Sequence, residues 1–358
     1  MMKIGMIGFC NLNIMQYLYK YTNVLDAVGA DYDVLYWNRL GIPEEKTFRG
    51  SCLSYDKELN SYQPFYKKIA TFLGYMAFVR KTLKKNRYDK LIVLTTPTAM
   101  LLWDRLLGKY RNRYIFDFRD ITKEHKLRPY KKLVGKLMDS AYVTMISSKG
   151  FLPVLEKADS EKIIMAHNTH RQTPAAPHGV RLSQEQPLRV AFWGVVRQSD
   201  HNKKLCDLFG NDSRFRLTFR GVGYVQELED YCREKGYENI AFAGGYGLEE
   251  IEEFAVQTDI LHCVYKNNRR TQPTLAVKLY DALEYRLPIL VAEGSFLAQT
   301  LEGTTGSLAI GPGHTADMIY DWYRQLSAEQ MERDYAAMEA RVREDDRIFA
   351  ETVTEFCR

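Results

Sequence analysis

The sequence predicts an α/β protein made of two doubly wound, Rossmann-like domains that face each other across a cleft. Its 358 residues exceed the usual size of a single core, which favours two domains. In both halves, short apolar runs alternate with helical patterns, as in parallel sheets that are covered by helices on both faces. A proline-containing stretch without apolar periodicity separates the halves, which is typical of a linker.

The first half, residues 1–175, is predicted to form the N-terminal domain. It begins with a strand at 3–9, a helix at 12–28 and a strand at 33–37, and an irregular stretch is expected near 41–60. Further strands are expected at 91–95, 114–118, 142–147 and 163–167. Helices are expected at 62–86, 98–109 and 129–139.

The alternation starts again after the linker, residues 176–187, and predicts a second domain over 188–326. Its strands are expected at 188–193, 215–219, 240–243, 260–264, 289–291 and 308–310. From about residue 316 the sequence is highly charged with apolar residues at helical spacing, so residues 327–358 are predicted to form a C-terminal helical segment.

Charge is distributed unevenly along the chain. The formal net charge is +5, but residues 1–180 contain 29 Lys and Arg against 16 Asp and Glu, whereas residues 181–358 contain 21 against 29. The basic half would suit an anionic membrane, nucleic acid or a phosphorylated acceptor. We favour the membrane surface for this half and expect no nucleic-acid partner.

Cysteine spacing and the N-terminus indicate an intracellular protein. The six cysteines form no C-x-x-C pair, so we expect neither zinc nor disulfides. The N-terminus lacks the pattern of a signal peptide, and no apolar run reaches the ~20 residues that span a bilayer. We therefore expect a cytoplasmic protein, either free or peripheral on the inner face of the plasma membrane.

The segment 275–291 carries the most chemical information. Lys278 and Asp281 are three residues apart on a predicted helix that ends before Pro288, so a cation and a carboxylate are presented together. The amide groups at the helix N-terminus favour a diphosphate, and Asp281 can accept hydrogen bonds from ribose hydroxyls. An ordinary helix with a solvated Lys278–Asp281 pair is the alternative.

Other cations and glycines follow predicted strands of the second half. Gly194, Arg197, Lys203 and Lys204 form a turn and helix start suited to phosphates, because ligands of open α/β sheets bind beyond the carboxyl ends of strands. Gly221 and Gly223 are expected in a tight turn after the next strand. Gly245 and Tyr246 are expected in a loop near the nucleotide. Simple surface cations are the alternative for the lysines and the arginine.

These motifs resemble the donor site of GT-B glycosyltransferases of the family-4 type. The resemblance is carried by the residues Lys278, Leu279, Tyr280, Asp281, Leu283, Pro288 and Ile289. The chain departs from the pattern where it has Ala276 instead of proline, Arg286 instead of glycine, and Pro273 instead of a glutamate. The resemblance implies a GT-B fold, with C-terminal helices that pack back on the N-terminal domain.

The resemblance also implies site residues. Donor binding is assigned to Gly8, Gly194, Lys204, Gly221, Gly223, Gly245, Tyr246, Thr274, Leu275, Ala276 and Asp281. Arg197, Lys203 and Lys278 are expected to neutralise the departing nucleotide diphosphate without a metal or other cofactor. Asn11 and Arg119 are assigned to the acceptor, although a structural salt bridge between Arg119 and an aspartate at the strand end is an equal alternative.

The implied activity is transfer of a sugar from a nucleotide-diphosphate sugar to a saccharide acceptor. The resemblance implies retention of configuration and, as in bacterial relatives, a lipid-linked acceptor in cell-surface polysaccharide synthesis. If the reaction inverts instead, Asp120 or His125 would be the base. A nucleotide-sugar epimerase of the same fold and a non-catalytic binding or scaffold protein remain alternatives, the latter because Pro273 replaces the glutamate.

Overall fold

The chain forms two compact units in a computed structural model that describes residues 2–59, 65–155, 161–169, 178–197 and 199–358. Unit 1 comprises Met1–Gln172 with Arg343–Arg358, and unit 2 comprises Thr173–Val342. Within the described ranges each unit is built on one parallel sheet. Residues 176 and 177 of the predicted linker lie outside these ranges, whereas residues 178–187 are described and contain neither helix nor strand.

The sheet of unit 1 contains seven strands in the described residues. They are β1 (Lys3–Ile7), β2 (Asp31–Asn38), β3 (Ser51–Asp56), β4 (Lys90–Leu94), β5 (Tyr114–Phe118), β6 (Val143–Ile146) and β7 (Ile163–Met165). Their order is β3-β2-β1-β4-β5-β6-β7, and every pair is parallel. The order reverses between β1 and β4, so the carboxyl ends of these strands mark a ligand-binding position.

Three predictions for the first half differ from the structure. Residues 51–56, expected to be irregular, form the edge strand β3, whose half-exposed polar residues give a weak strand pattern. The helix expected at 12–28 is a 3₁₀ turn, Leu12–Ile14, followed by α1 (Leu18–Ala27). The helix expected at 98–109 is divided into α3 (Thr96–Leu101) and α4 (Trp103–Leu107). The remaining helices of this half are α2 (Phe65–Asn86) and α5 (Arg128–Ser140).

The sheet of unit 2 contains six strands in the described residues. They are β8 (Leu188–Val196), β9 (Phe215–Gly223), β10 (Ile240–Phe242), β11 (Ile260–Cys263), β12 (Ile289–Ala292) and β13 (Ser307–Ile310). The order is β10-β9-β8-β11-β12-β13, and it reverses between β8 and β11. The helices are α6 (Ser199–Phe209), α7 (Val225–Lys235), α8 (Ile251–Ala255), α9 (Lys278–Tyr285), α10 (Phe296–Thr300), α11 (Ala316–Arg324) and α12 (Ala328–Phe356).

Helix α12 contributes to both units. In unit 2, the Arg286 guanidinium at the end of α9 pairs with Glu339 on α12 at 2.8 and 2.9 Å. In unit 1, the last turns of the helix bury Phe349 and Phe356 in the core, and Asp346 accepts a hydrogen bond of 2.6 Å from Lys20. Both ends of α12 are thus fixed by buried side chains.

Candidate functional site

The carboxyl ends of β8 and β11 hold a buried cation. These strands are neighbours where the strand order reverses, which is where open α/β sheets bind ligands. Lys278, the first residue of α9, places its Nζ 2.7 Å from the Tyr265 hydroxyl oxygen and 4.2 Å from the centroid of the Phe192 ring. A Cβ at Gly194 would lie 3.2 Å from this Nζ, so the glycine keeps the space beside the cation clear.

Lys278 keeps its charge although only 6% of it is exposed. Burial alone would lower its pKa, but the effects of Tyr265, Cys263 and Asp281 outweigh burial and hold the pKa above its usual value. Lys278 has no ion pair within the described ranges of the chain. A buried ammonium group without a contacting carboxylate is suited to an anionic ligand.

Further cations lie at the same edge of the sheet, and they are Arg197, Lys204 and Lys266. Burial raises the pKa of Tyr265, while the charges of Lys278 and Arg197 act in the opposite direction. Burial lowers the pKa of His201 on α6, and Lys204 and Lys266 lower it further. Of the residues that the structure describes, none pairs ionically with these three side chains. The edge is therefore strongly basic and lacks internal neutralisation.

Two histidines that the sequence analysis missed lie beside these cations. His262 on β11 is 1% exposed, and its Nδ1 accepts a 3.0 Å hydrogen bond from the Val264 amide, so the proton of the neutral ring is on Nε2. Burial, together with the charge of Lys278, lowers the pKa of His262 to about 3. The Nε2 atoms of His262 and His201 are buried without a hydrogen-bond partner among the described residues. The sequence did carry a signal for His262, because a histidine within the apolar run 260–263 is expected to be buried.

Asp281 is buried and fixes an aromatic side chain at the site. It accepts a 2.8 Å hydrogen bond from Nε1 of Trp193 on β8. Burial raises the pKa of Tyr246. The charge of Lys278 acts to lower this pKa and the charge of Asp281 acts to raise it, so the tyrosine belongs to the same cluster. Asp281 is 4% exposed, and the bond to Trp193 shows a positioning role that the sequence did not predict.

Lys203 does not join the Lys278 cluster. Its Nζ is 2.9 Å from Glu227 Oε1 on α7 and 5.4 Å from the centroid of the Tyr231 ring. The carboxylate of Glu227 neutralises this lysine locally, whereas the neighbouring Lys204 has no such pair in the described residues. Of these two lysines of α6, Lys204 is therefore the one whose charge is not neutralised by a carboxylate in the described residues.

Gly194, Gly221 and Gly223 lie within strands, and the turn expected for them is wrong. The pairing of β8 with β9 continues through Gly194–Gly221 and Val196–Gly223. A Cβ at Gly221 would lie 1.8 Å from the Gly194 carbonyl oxygen, and one at Gly223 would lie 2.3 Å from that of Val196. The absence of a side chain at Gly221 and Gly223 therefore allows the backbones of β8 and β9 to approach each other closely. Gly245 lies nearby, where its Cβ would be 3.5 Å from Val222.

The loop before α9 holds the remaining predicted donor residues. Leu275 is buried, whereas Thr274 and Ala276 are half-buried. The Thr274 hydroxyl donates a 2.6 Å hydrogen bond to the Arg270 carbonyl, which tightens the loop. The loop therefore reaches Lys278 with a defined backbone path.

Asn11 in unit 1 has structural partners. Its Nδ2 donates to Asn38 and Glu44 at 2.8 and 2.6 Å, and its Oδ1 accepts from the amides of Arg39 and Leu40 at 2.9 and 3.1 Å. All the hydrogen-bonding positions of its amide are used. Asn11 thus organises the loop after β2, and its amide has no position left for an acceptor.

Arg119 also has structural partners. Its guanidinium forms two hydrogen bonds with the buried carboxylate of Asp117, and Nη1 donates a 2.7 Å bond to the Ala166 carbonyl. Burial would lower the pKa of Arg119, but Asp117 raises it well above the ordinary value. Arg119 therefore forms the structural salt bridge that the sequence analysis gave as the alternative to acceptor binding.

The other predicted residues of unit 1 differ in accessibility. His125 is fully buried, and its Nδ1 accepts a 3.0 Å hydrogen bond from the Thr122 amide. Asp120 is exposed and acts electrostatically on Tyr17. Gly8 follows β1, and its amide donates a 2.8 Å bond to Leu35. Of the two predicted bases, Asp120 is therefore the more accessible.

Metal-ligand clusters and membrane-spanning helices are both absent from the described residues. No group of three or more His, Cys, Asp or Glu side chains among them is placed to hold a metal ion. Of the helices described, none has the length and hydrophobicity required to cross a membrane.

Two Rossmann-like units followed by a long C-terminal helix define the GT-B fold, and comparison with solved structures confirms this fold class. The chain is similar to HepE of Anabaena in complex with UDP and glucose, with 12% identity, a TM-score of 0.68 and coverage of 99% of this chain and 100% of that one. It is similar to sucrose-phosphate synthase from Thermosynechococcus elongatus, with 12% identity, a TM-score of 0.65 and coverage of 100% and 94%.

A third similar structure is the pneumococcal O-GlcNAc transferase GtfA in complex with UDP and GlcNAc, with 11% identity, a TM-score of 0.62 and 99% coverage of both chains. No protein-family model matches the sequence, and a search of curated proteins finds no match. At this level of identity, the likenesses establish the fold that this chain shares with GT-B glycosyltransferases.

Proposed function

We propose that the protein is a glycosyltransferase that uses a nucleotide-diphosphate sugar, with UDP as the first nucleotide to test. The observation that carries the proposal is the basic edge of unit 2, where Lys278, Arg197, Lys204 and Lys266 lack ion-pair partners in the described residues. A pyrophosphate would neutralise these cations. The complexes of HepE and GtfA with UDP support the choice of nucleotide.

In the proposed reaction, the bond between the anomeric carbon and the β-phosphate oxygen breaks, and its electron pair stays on the phosphate. An acceptor hydroxyl oxygen forms the new bond to the anomeric carbon, and its proton passes to the leaving phosphate. Lys278 and Arg197 stabilise the negative charge that develops on this phosphate, the role that a metal has in many other transferases. We propose retention of configuration, and Asp120 is the base to test if inversion is found.

The proposed acceptor is a lipid-linked saccharide used in cell-surface polysaccharide synthesis, met at the inner face of the plasma membrane. The positive excess of residues 1–180 supports this proposal. On α2, Ile69 and Leu73 are exposed by 43% and 52% and precede the basic last turn of the helix, which contains Lys84 and Lys85. Sedimentation with vesicles of anionic lipid, compared with zwitterionic lipid, tests the membrane part: equal binding to both would contradict it.

Calorimetric titration with UDP, GDP and dTDP, followed by product analysis with a UDP-sugar panel, tests the function. We expect UDP to bind and sugar to appear on an added saccharide acceptor. Conversion of the UDP-sugar to its epimer without an acceptor would show an epimerase. Binding of UDP without either product, for all sugars and acceptors, would favour the non-catalytic alternative. Failure of all three nucleotides to bind would refute the proposal.

A further inference from the structure

Arg39 in unit 1 occupies an aromatic cage at the carboxyl edge of the sheet. It directly follows β2, next to the loop after β1. The carbon of its guanidinium is 4.1 Å from the centroid of the Phe9 ring, 4.5 Å from that of Trp37 and 5.9 Å from that of Phe72. The aromatic faces attract the cation, but they offer no oxygen to the N–H groups in its plane.

Two nitrogen atoms of the Arg39 guanidinium lack hydrogen-bond acceptors among the residues that the structure describes. Its Nε and Nη2 atoms are buried and have no partner among the described residues. Burial lowers the pKa of Arg39, opposed by Cys10 and Tyr75, so the folded chain does not fully stabilise the charge. A buried charged group without a counter-ion is costly. The described residues therefore stabilise this charge through aromatic rings and not through hydrogen bonds to Nε or Nη2.

Glu44, an acidic residue in the loop after β2, does not supply the missing acceptor. The Glu44 carboxylate instead accepts hydrogen bonds from the Asn11 side chain and from the amides of Leu12 and Asn13, at 2.6, 2.7 and 3.3 Å. Arg119, the other buried arginine of this unit, has the bidentate carboxylate that Arg39 lacks. The contrast distinguishes Arg39 from an arginine that is needed for the fold.

The chemistry of the cage indicates the kind of ligand. A planar guanidinium matches two oxygens of one carboxylate or phosphate group. Arg39 is half-buried, so part of the side chain can be reached from solvent. The edge of the sheet beside β1, where the strand order reverses, is a position at which open α/β sheets bind ligands.

We propose that Arg39, held by Phe9 and Trp37, binds an oxyanion of the acceptor, either the carboxylate of an acidic sugar or a phosphate. Identifying the ligand as the acceptor rests on the proposed function, whereas the anion site itself is argued from residues of unit 1 alone. The site would select acidic or phosphorylated saccharides over neutral ones.

Calorimetry with the full chain in saturating UDP tests the proposal, because UDP occupies the proposed phosphate site of unit 2. The probes are D-glucuronate for a carboxylate, glucose 1-phosphate for a phosphate and D-glucose as the neutral control. We expect one of the two anions to bind and glucose not to bind, and the anion that binds identifies the source of the charge. Arg39→Met should abolish this binding, and Arg39→Lys, which keeps the charge but loses the fork, should weaken it about 10-fold or more.

Two controls separate the possible failures. UDP affinity should stay within about two-fold of the wild type in both variants, and the Tm of Arg39→Met should equal or exceed that of the wild type, because an unpaired charge is removed. Wild-type protein that binds UDP but neither anion would overturn this inference and leave the proposed function intact. Absence of UDP binding would refute the proposed function. Titration of the two anions and glucose without UDP would then show whether Arg39 binds an anion. Unchanged anion binding in Arg39→Lys and Arg39→Met would also overturn the inference.

Discussion

Replacing Lys278 by methionine tests whether this lysine binds the ligand or only supports the fold. Two unit charges about 4 Å apart at an effective dielectric constant of about 20 interact by about 4 kcal/mol. Desolvation of the ligand phosphate offsets part of this energy, which leaves an expected loss of about 2–3 kcal/mol, or about 30- to 150-fold in the Kd for UDP. Methionine is an unbranched apolar side chain one atom shorter than lysine, so it removes only the charged Nζ, which is 4.2 Å from the centroid of the Phe192 ring in the native protein.

Lys203→Met is the matched control. Both lysines were predicted from the sequence to bind phosphate, but Lys203 is paired with Glu227 at 2.9 Å and is partly exposed. Because Glu227 already neutralises Lys203, the Kd of UDP should change by no more than about three-fold in this variant.

Calorimetric titration of UDP into the three proteins, with Tm as a check on folding, gives the result. Equal losses of UDP affinity in both variants would refute the reasoning, as would an unchanged Kd in Lys278→Met.

Three further predictions concern stability. Arg286→Gly removes a non-glycine residue at φ 54° but leaves the Glu339 carboxylate without its guanidinium, and we expect a net loss of about 2 kcal/mol in urea unfolding. Gly221→Ala should cost more than about 3 kcal/mol or prevent folding of unit 2, since its Cβ would lie 1.8 Å from a Gly194 backbone oxygen; circular dichroism and urea unfolding measure this. The folded pKa of His262, about 3, is below its ordinary value, so its contribution is complete above about pH 6.5 and is lost as the pH falls towards 3. Between pH 7.5 and 5.0 the free energy of unfolding of the wild type should therefore fall by about 2 kcal/mol more than that of His262→Asn. Equal decreases would contradict the lowered pKa of His262 in the folded protein.

The alternation of strands and helices was predictable because buried parallel strands are short continuous apolar runs. The strand expected at 114–118 coincides with β5, and those expected at 260–264 and 289–291 differ from β11 and β12 by one residue. The edge strand β3 was missed, since a strand that is exposed at a sheet edge needs no apolar run. The glycines of β8 and β9 were placed in turns because the sequence does not show which backbone a glycine approaches.

The choice between Lys203 and Lys204 illustrates what the sequence alone could not decide. Adjacent residues on a helix point about 100° apart, so only one of the two can face the Lys278 cluster, and the phase of the helix is set by its packing. Asn11 and Arg119, predicted to bind the acceptor, have structural partners that the sequence could show only in part. Glu44 is 33 residues from Asn11 and Ala166 is 47 residues from Arg119 along the chain, so these contacts arise only in the fold.

The distribution of neutralised and unneutralised cations is the strongest physical argument for two ligand positions. Arg119 and Arg286 are buried and are paired with carboxylates, as expected of charges that stabilise a fold. Lys278 is also buried and Arg39 is half-buried, yet neither has an ion-pair partner in the described residues, and both lie at carboxyl edges of sheets. A bound anion would supply the counter-charge that these two side chains lack among the described residues, which suits both positions to recognition of a ligand.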